Sequence, residues 1–222
     1  MSPAPSAQIA GIYRYPVKGL SPEQLSCAAL EPGQTLLADR RYAVENGPCG
    51  FDPAEPKWMP KPHFLMLQRD EWLAALRTHF DDKNNILTIR QNGAIAAQGD
   101  LETADGRAAI EQFFANQYAG EIKGPPKILT SPGHSFSDVA RKVVSIINLA
   151  SIAAIENMVG LPVHPLRFRA NGPSLAVGQL ESIRRSLLKP GRCGDIRESS
   201  TNGPRLQRAE AAGPAATPGR TA

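Results

Sequence analysis

The chain predicts a β-rich α+β protein, and three features of its 222 residues carry that expectation. Short alternating apolar segments, punctuated by proline and glycine, outnumber helical stripes. Asn92-Gly93 lies between two such segments and supplies the positive backbone angles of a type I′ hairpin turn. The helical stripes are few and short, and no GxGxxG fingerprint marks a doubly wound parallel sheet. A barrel-like or layered arrangement is expected.

The first strand is "QIAGIYRYPV", where Ile9, Gly11 and Tyr13 alternate with Ala10, Ile12 and Arg14 until Pro16 disrupts it. "QLSCAALEPGQTLLADRRYAVEN" predicts a strand, a Pro-Gly turn and a second strand around Tyr42–Val44. Residues 47–62 are dense in proline and glycine and predict a long loop, followed by "HFLML" as a short buried strand. In "RDEWLAALRTHFDD", Trp72, Leu76 and Phe80 recur every four residues behind Asp70, which predicts a helix capped by that aspartate. "ILTIRQNGAIAAQG" is the hairpin. "DGRAAIEQFFANQYAG" places Ile110, Phe113, Phe114 and Tyr118 on one helical stripe ending by Gly120. "GPPKILTSPGH" holds three prolines and predicts a connector between two lobes, near residues 121–135. Beyond it the pattern predicts a strand at Val143–Ile147, a helix at Leu149–Val159 stopped by Gly160, and an extended segment through Phe168.

At 41% hydrophobic the chain can bury a core, and no run of 18 apolar residues offers a membrane span. The N-terminal stretch has neither the basic nor the apolar region of a secretion signal. Three cysteines, Cys27, Cys49 and Cys193, are odd in number and widely spaced, which predicts free thiols in a reducing compartment. A soluble cytoplasmic protein without a membrane partner is the expectation. The net charge of +4 belongs wholly to the last 51 residues, where seven arginines and one lysine face four acids. Those residues hold no aromatic side chain for stacking on bases, so nucleic acid is not an expected partner.

No P-loop, GxSxG, HExxH or CxxC motif is present, and His63, His79, His134 and His164 are scattered without metal-ligand spacing. Basic residues cluster at strand ends instead: Lys18 in "YPVKGL", Arg40 and Arg41 in "ADRRYAV", Arg167 and Arg169 with Asn171 in "LRFRAN". Arginine's planar fork suits bidentate recognition of phosphate. From the residues alone, an anionic ligand held between these clusters and a set of solvated strand ends both stand.

Taken together, "IAGIYRYPVKGLSPEQL", "ADRRYAVENGPCGFDP", "KPHFLMLQRDEWLAALRTHFDD" and "FSDVARKVVSIINLASIAAIENMVGLPVHPLRFRAN" resemble the MOSC superfamily. The likeness is to its two-part members, which join an N-terminal MOSC β-barrel domain to a MOSC core and include the mitochondrial amidoxime-reducing component and its bacterial relatives. It runs from about Ile9 to Asn171 and implies a MOSC N-terminal β-barrel domain over residues 1–125 and the start of a core over 126–171. It also implies binding of the molybdenum cofactor, a pyranopterin with a terminal phosphate. By position, Lys18 and Arg40 would contact the phosphate end, and Arg169 and Asn171 would hold the pterin. The implied activity is reduction of N-hydroxylated compounds or sulfur handling, with a small-molecule substrate and a redox partner protein. Pyridoxal phosphate binding comes with the resemblance as a family-level expectation.

After Asn171 the chain departs from that pattern. A MOSC core should go on to a tryptophan-bearing loop, further strands and a metal-ligating cysteine, whereas residues 172–222 contain no Phe, Trp or Tyr. Cys193 follows Asn171 by only 22 residues in an unfamiliar context, "KPGRCGDIRESS". A shift of reading frame near Asn171 accounts for this: one base downstream, Leu175-Ala176 and Val177-Gly178 can each spell tryptophan, and Leu206-Gln207 can spell cysteine. Such a tail cannot offset its chain entropy and is expected to be disordered, leaving an incomplete core. The alternative to a molybdenum enzyme is therefore an inactive, truncated MOSC remnant that lacks the metal-ligating cysteine.

Overall fold

The computed structural model describes residues 9–174 and 196–197. Most of the tail, with Cys193, falls outside the described residues, as does the frameshift reading; of residues 172–222 only the strands at Gly172–Ser174 and Ile196–Arg197 are described.

Eleven short strands and two helices are present among the described residues: β1 (Ile12–Arg14), β2 (Glu23–Leu25), β3 (Cys27–Ala28), β4 (Ala43–Asn46), β5 (Arg77–Asp81), β6 (Ile86–Gln91), β7 (Ala94–Asp100), α1 (Ala104–Gln117), β8 (Pro126–Leu129), β9 (Ile146–Asn148), α2 (Leu149–Val159), β10 (Gly172–Ser174) and β11 (Ile196–Arg197). The strands form five small sheets: β1-β2, β4-β8, β3-β11 and β5-β6-β7 are antiparallel, and β9-β10 is parallel. No closed barrel forms among the described residues. A cylinder needs a ladder carried round without a break, and strands of two to seven residues separated by irregular loops do not provide one.

The hairpin is where Asn92-Gly93 places it. Asn92 has φ 51° and Gly93 φ 83°, and β6 and β7 pair on either side with a register shift between Ile89 and Arg90. Helix α1 begins where the Thr103 hydroxyl accepts the Gly106 N–H at 3.0 Å, and it buries Ile110 and Phe114 against the β5-β6-β7 sheet. Gly99 and Gly106 permit that contact: a Cβ on Gly106 would lie 2.1 Å from the Asp100 carbonyl oxygen, and one on Gly99 2.1 Å from that of Gly106. Helix α2 covers the expected residues and ends at Gly160 in the left-handed conformation.

The helix expected around Trp72–Phe80 is not formed. A 3-10 turn covers Glu71–Ala75 and strand β5 follows at once, while the Asp70 side chain accepts the Met66 N–H at 2.8 Å and caps nothing. A four-residue step is two strand repeats as well as about one helical turn. Phe80 is buried while Arg77 and His79 are exposed, so the true period is two. "HFLML" buries Phe64 and Leu65 but forms only an isolated bridge between Phe64 and Glu45. Part of the expected connector is strand β8, paired with β4 along its whole length. The segment expected to be extended through Phe168 is a 3-10 turn at Pro165–Phe168, so Arg167 and Arg169 do not share a strand face. The thiols also differ from expectation, for Cys27 is disulfide-bonded whereas Cys49 is free.

The main core joins Tyr42, Val44, Leu65, Phe80, Ile89 and Phe114, all at or near zero exposure. A second cluster seals Ala43, Phe64, Leu129 and Phe136. Between them run the backbone segments that build the candidate site.

Candidate anion cradle

Pro16 stops β1 and turns the chain so that residues 15–18 run beside residues 39–42. Tyr15 donates its N–H to Asp39 Oδ1 at 2.8 Å, Arg40 donates to the Tyr15 carbonyl at 2.7 Å, and Lys18 donates to the Tyr42 carbonyl at 2.8 Å. Gly19, at φ 83°, takes the turn after Lys18, where a Cβ would meet the Leu65 carbonyl at 2.6 Å. A third segment joins when Phe136 donates to the Arg40 carbonyl at 2.8 Å and the Ser135 hydroxyl to that of Asp39 at 3.1 Å. The fourth arrives from the other end of the chain, where the Arg169 carbonyl accepts Arg40 Nη2 at 3.0 Å.

Three cations meet at this junction. The guanidinium carbons of Arg169 and Arg40 lie 4.2 and 5.0 Å from the centroid of the buried Tyr15 ring. Lys18 Nζ donates to the Phe136 carbonyl at 2.8 Å and pairs with Asp138. Asp39, almost wholly buried, pairs with Arg40. Three positive groups thus share two carboxylates.

Burial first, and the neighbouring cations after it, set how these groups titrate. Burial pulls Arg169 down to about 10, with the field of Arg40 adding to it and Tyr15, Asp138 and Asp39 opposing. Lys18 is also lowered, by burial first; Asp138 recovers part of the loss, and Arg40 and Arg169 lower it further. Burial pushes the Tyr15 hydroxyl up to about 12 against the two guanidinium groups, so it stays protonated and donates to the Ala170 carbonyl. Arg169 Nη2 is buried with no hydrogen-bond partner among the described residues. Leaving a charged donor unmade inside a protein costs more than an exposed one ever returns.

Arg14 shows what a structural arginine looks like in the same molecule. It is 6% exposed, yet Nε and Nη2 bond Glu23 at 3.0 and 2.8 Å and Nη1 meets Asp82 at 2.7 Å. Its charge is answered; that of Arg169 is not. Both cradle arginines also sit in the left-handed region, Arg40 at φ 51° and Arg169 at φ 52°. For residues other than glycine that conformation costs about 1–3 kcal/mol each and collects at functional sites.

The structure therefore brings Lys18, Arg40 and Arg169 together and sends other candidates elsewhere. Arg41 turns away to Glu102 at 2.8 Å and Asn85 at 3.3 Å, and Arg167 is exposed. Asn171 is buried, but its amide is spent on the fold: Oδ1 accepts the Ser145 N–H and hydroxyl at 3.1 and 3.0 Å, and Nδ2 donates to the Tyr13 carbonyl at 3.1 Å. Sequence reasoning missed Tyr15, Asp39, the Phe136 carbonyl and Asp138. Tyr15 and Asp39 lie within "YPVKGL" and "ADRRYAV", and only their pairing across the chain reveals their roles.

A cleft of about 530 Å³ opens on the other face of the 36–41 loop, lined by Leu36, Leu37, Arg41, Ser131 and His134 among others. It shares Asp39 with the cradle but not its cations. Among its own charged groups Arg41 pairs with Glu102, while Lys142 donates only to the neutral Gln34 side chain at 2.8 Å.

The free thiol of Cys49 is protonated at neutral pH. Burial and a hydrogen bond with Glu45 push that thiol up to about 11, and its sulfur lies 3.9 Å from that of Met59. Among the described residues no group of three or more His, Cys, Asp or Glu is placed to hold a metal ion. None of their helices is long and apolar enough to cross a membrane.

Comparison with known proteins returns no curated protein and no solved structure that matches the chain. The family model for the MOSC N-terminal beta barrel domain matches residues 6–125, more than half of the sequence, and takes in the Tyr15–Lys18 and Asp39–Arg40 walls of the cradle. The chain belongs to the MOSC N-terminal beta barrel domain family.

Proposed function

We infer that this MOSC domain protein uses Lys18, Arg40 and Arg169 to hold the phosphate end of a molybdenum cofactor. The observation that carries the reading is the buried, unpartnered Nη2 of Arg169 among three cations that share two carboxylates. A phosphate monoester, near two negative charges at neutral pH, supplies the acceptor oxygens and charge that this set lacks. Lys18 acts as a point charge, and the two guanidinium forks, stacked on the Tyr15 ring, orient the phosphate. Asn171 contributes by fastening the Arg169 segment to β1 and Ser145. When bound, the cofactor supplies redox chemistry at a thiolate-held metal, which in this reading reduces N-hydroxylated compounds or handles sulfur with a redox partner protein.

A second reading is a remnant that keeps the cradle without a working metal site. Cys49 favours it, because a thiol held near 11 gives little thiolate at neutral pH. Expression in a cofactor-producing host followed by metal and pterin analysis separates the two. About one molybdenum and one pterin per chain support the enzyme; pterin without metal supports the remnant; neither removes both. If the cradle holds the cofactor, Arg169→Ala lowers pterin retention more than Cys193→Ala does. Equal or reversed losses overturn the placement.

A further inference from the structure

The two carboxylates of the cradle are held in different ways. Asp39 is fixed: its side chain is 1% exposed, one oxygen accepts the Tyr15 N–H, and the other pairs with Arg40. Asp138 has a side chain 62% exposed and pairs with Lys18, whose own side chain is 5% exposed. The backbone beneath it changes character within two residues. Phe136 is buried among Phe51, Phe64 and His134, and its carbonyl anchors Lys18. The Ser137 carbonyl accepts the indole N–H of half-exposed Trp58 at 3.2 Å, and Val139, next after Asp138, is 50% exposed. Asp138 thus lies just past a fixed hinge, on the solvent side of a buried ammonium.

We propose that the Asp138 carboxylate is an internal substitute for the ligand's anion, seated on Lys18 in the free protein and displaced outward when a phosphate enters the cradle. The inference rests on the cradle reading above and adds a selectivity rule to it. With Asp138 in place the set Lys18, Arg40, Arg169, Asp39 and Asp138 carries a net charge of one. A monoanion that displaces Asp138 exchanges one negative charge for another and gains little. A phosphate dianion replaces one charge with two and also reaches the unpartnered Arg169 arm, so it gains both Coulomb energy and hydrogen bonds. Asp138 therefore acts as a threshold that admits dianions and turns monoanions away.

The test uses the full chain with inorganic phosphate and nitrate as probes, at pH 8 and constant ionic strength, by calorimetry and by indole fluorescence. Trp58 reports the Ser137 carbonyl beside the latch, while Trp72 is stacked on Tyr118 at 3.8 Å and serves as an internal reference. The wild type is expected to bind phosphate weakly with a change in Trp58 emission, and nitrate more weakly still. Asp138→Asn is expected to bind phosphate about fivefold or more tightly, the lower end of ordinary site-to-site coupling. Nitrate gains by about the same factor, because either anion displaces the same carboxylate from Lys18. Asp138→Ala, which cannot keep a polar bond to Lys18, gives the same direction and guards against a residual amide contact. Phosphate binding that weakens or stays unchanged in both variants overturns the latch, and if Arg169→Ala abolishes that binding the cradle itself stands. No phosphate binding in the wild type or in either variant overturns the cradle and the latch together.

Discussion

Arg169 and Arg14 differ less in burial than in company, and that difference separates a binding group from a structural one. Both guanidinium groups are largely removed from water, but only Arg14 meets two carboxylates. Asp138 makes the matching distinction among the acids. Burial alone would raise its carboxyl, but the bond to Lys18 and the fields of Lys18, Arg40 and Lys61 outweigh that and hold it below the usual range. A carboxyl lowered in the folded state binds fewer protons there than in the unfolded chain, so its contribution to stability is complete above the ordinary carboxylate range and is lost as pH falls through the lowered value. Urea unfolding of the wild type and Asp138→Asn should therefore show a stability gap that is constant from neutral pH down to about pH 4 and closes below it. A gap that widens on acidification would count against the Lys18–Asp138 pair. In the free protein that substitution is mildly destabilising even though it favours phosphate, as expected of a device that spends stability on selectivity.

At the level of elements, the close approach of α1 to β7 is the tightest glycine contact among the described residues. Gly106 lies against the Asp100 backbone where no side chain can be moved aside to make room. Gly106→Ala should cost about 1–3 kcal/mol, the usual penalty for overpacking, or more because the clash is with backbone. Thermal unfolding measures it, and a loss below half a kcal/mol would show that the helix can lift off the strand without penalty. Gly93→Ala is a useful contrast. Its φ of 83° makes a side chain strained there, but nothing lies within 4 Å of the added Cβ. Residues 77–81 show why element type was hard to read from the sequence. A four-residue spacing of apolar groups satisfies a strand as well as a helix, and pairing with β6 settled it in favour of β5. The hairpin and α2 were legible because their signals, Asn-Gly and a closing glycine, are local backbone requirements that tertiary contacts do not override.

At the scale of the whole molecule, the junction between β1 and the 145–172 segment depends on Asn171. Its side chain satisfies the Ser145 N–H and hydroxyl and the Tyr13 carbonyl, and its backbone accepts the Tyr13 N–H at 2.6 Å. Asn171→Ala keeps the backbone bond but leaves the part-buried side-chain partners unmet, at about 1–3 kcal/mol for each group that water cannot reach. Hydrogen exchange should speed up at Tyr13, Ser145 and β9-β10 while the amides of the β6-β7 hairpin keep their protection. Uniform deprotection of the chain would mean that the two regions unfold as one, and no change would mean that Asn171 fastens nothing. The same junction delivers Arg169 to the cradle, so this substitution is also expected to weaken phosphate binding without removing a cradle side chain.

Elements that rest on local chemistry were legible from the residues alone: the turn at Asn92-Gly93, the stripe of α1 and the span of α2. The sequence also carried the likeness to the MOSC superfamily, which the family match over residues 6–125 bears out. Which cations meet depends on how distant segments pack. Arg40 and Arg41 are neighbours in sequence yet face different partners, because the left-handed turn at Arg40 points one toward Tyr15 and leaves the other beside Glu102. Asp138 is 120 residues from Lys18, and no spacing rule joins them. Local patterns record what a residue requires of its own backbone; a shared charge deficit exists only once distant segments have been packed side by side.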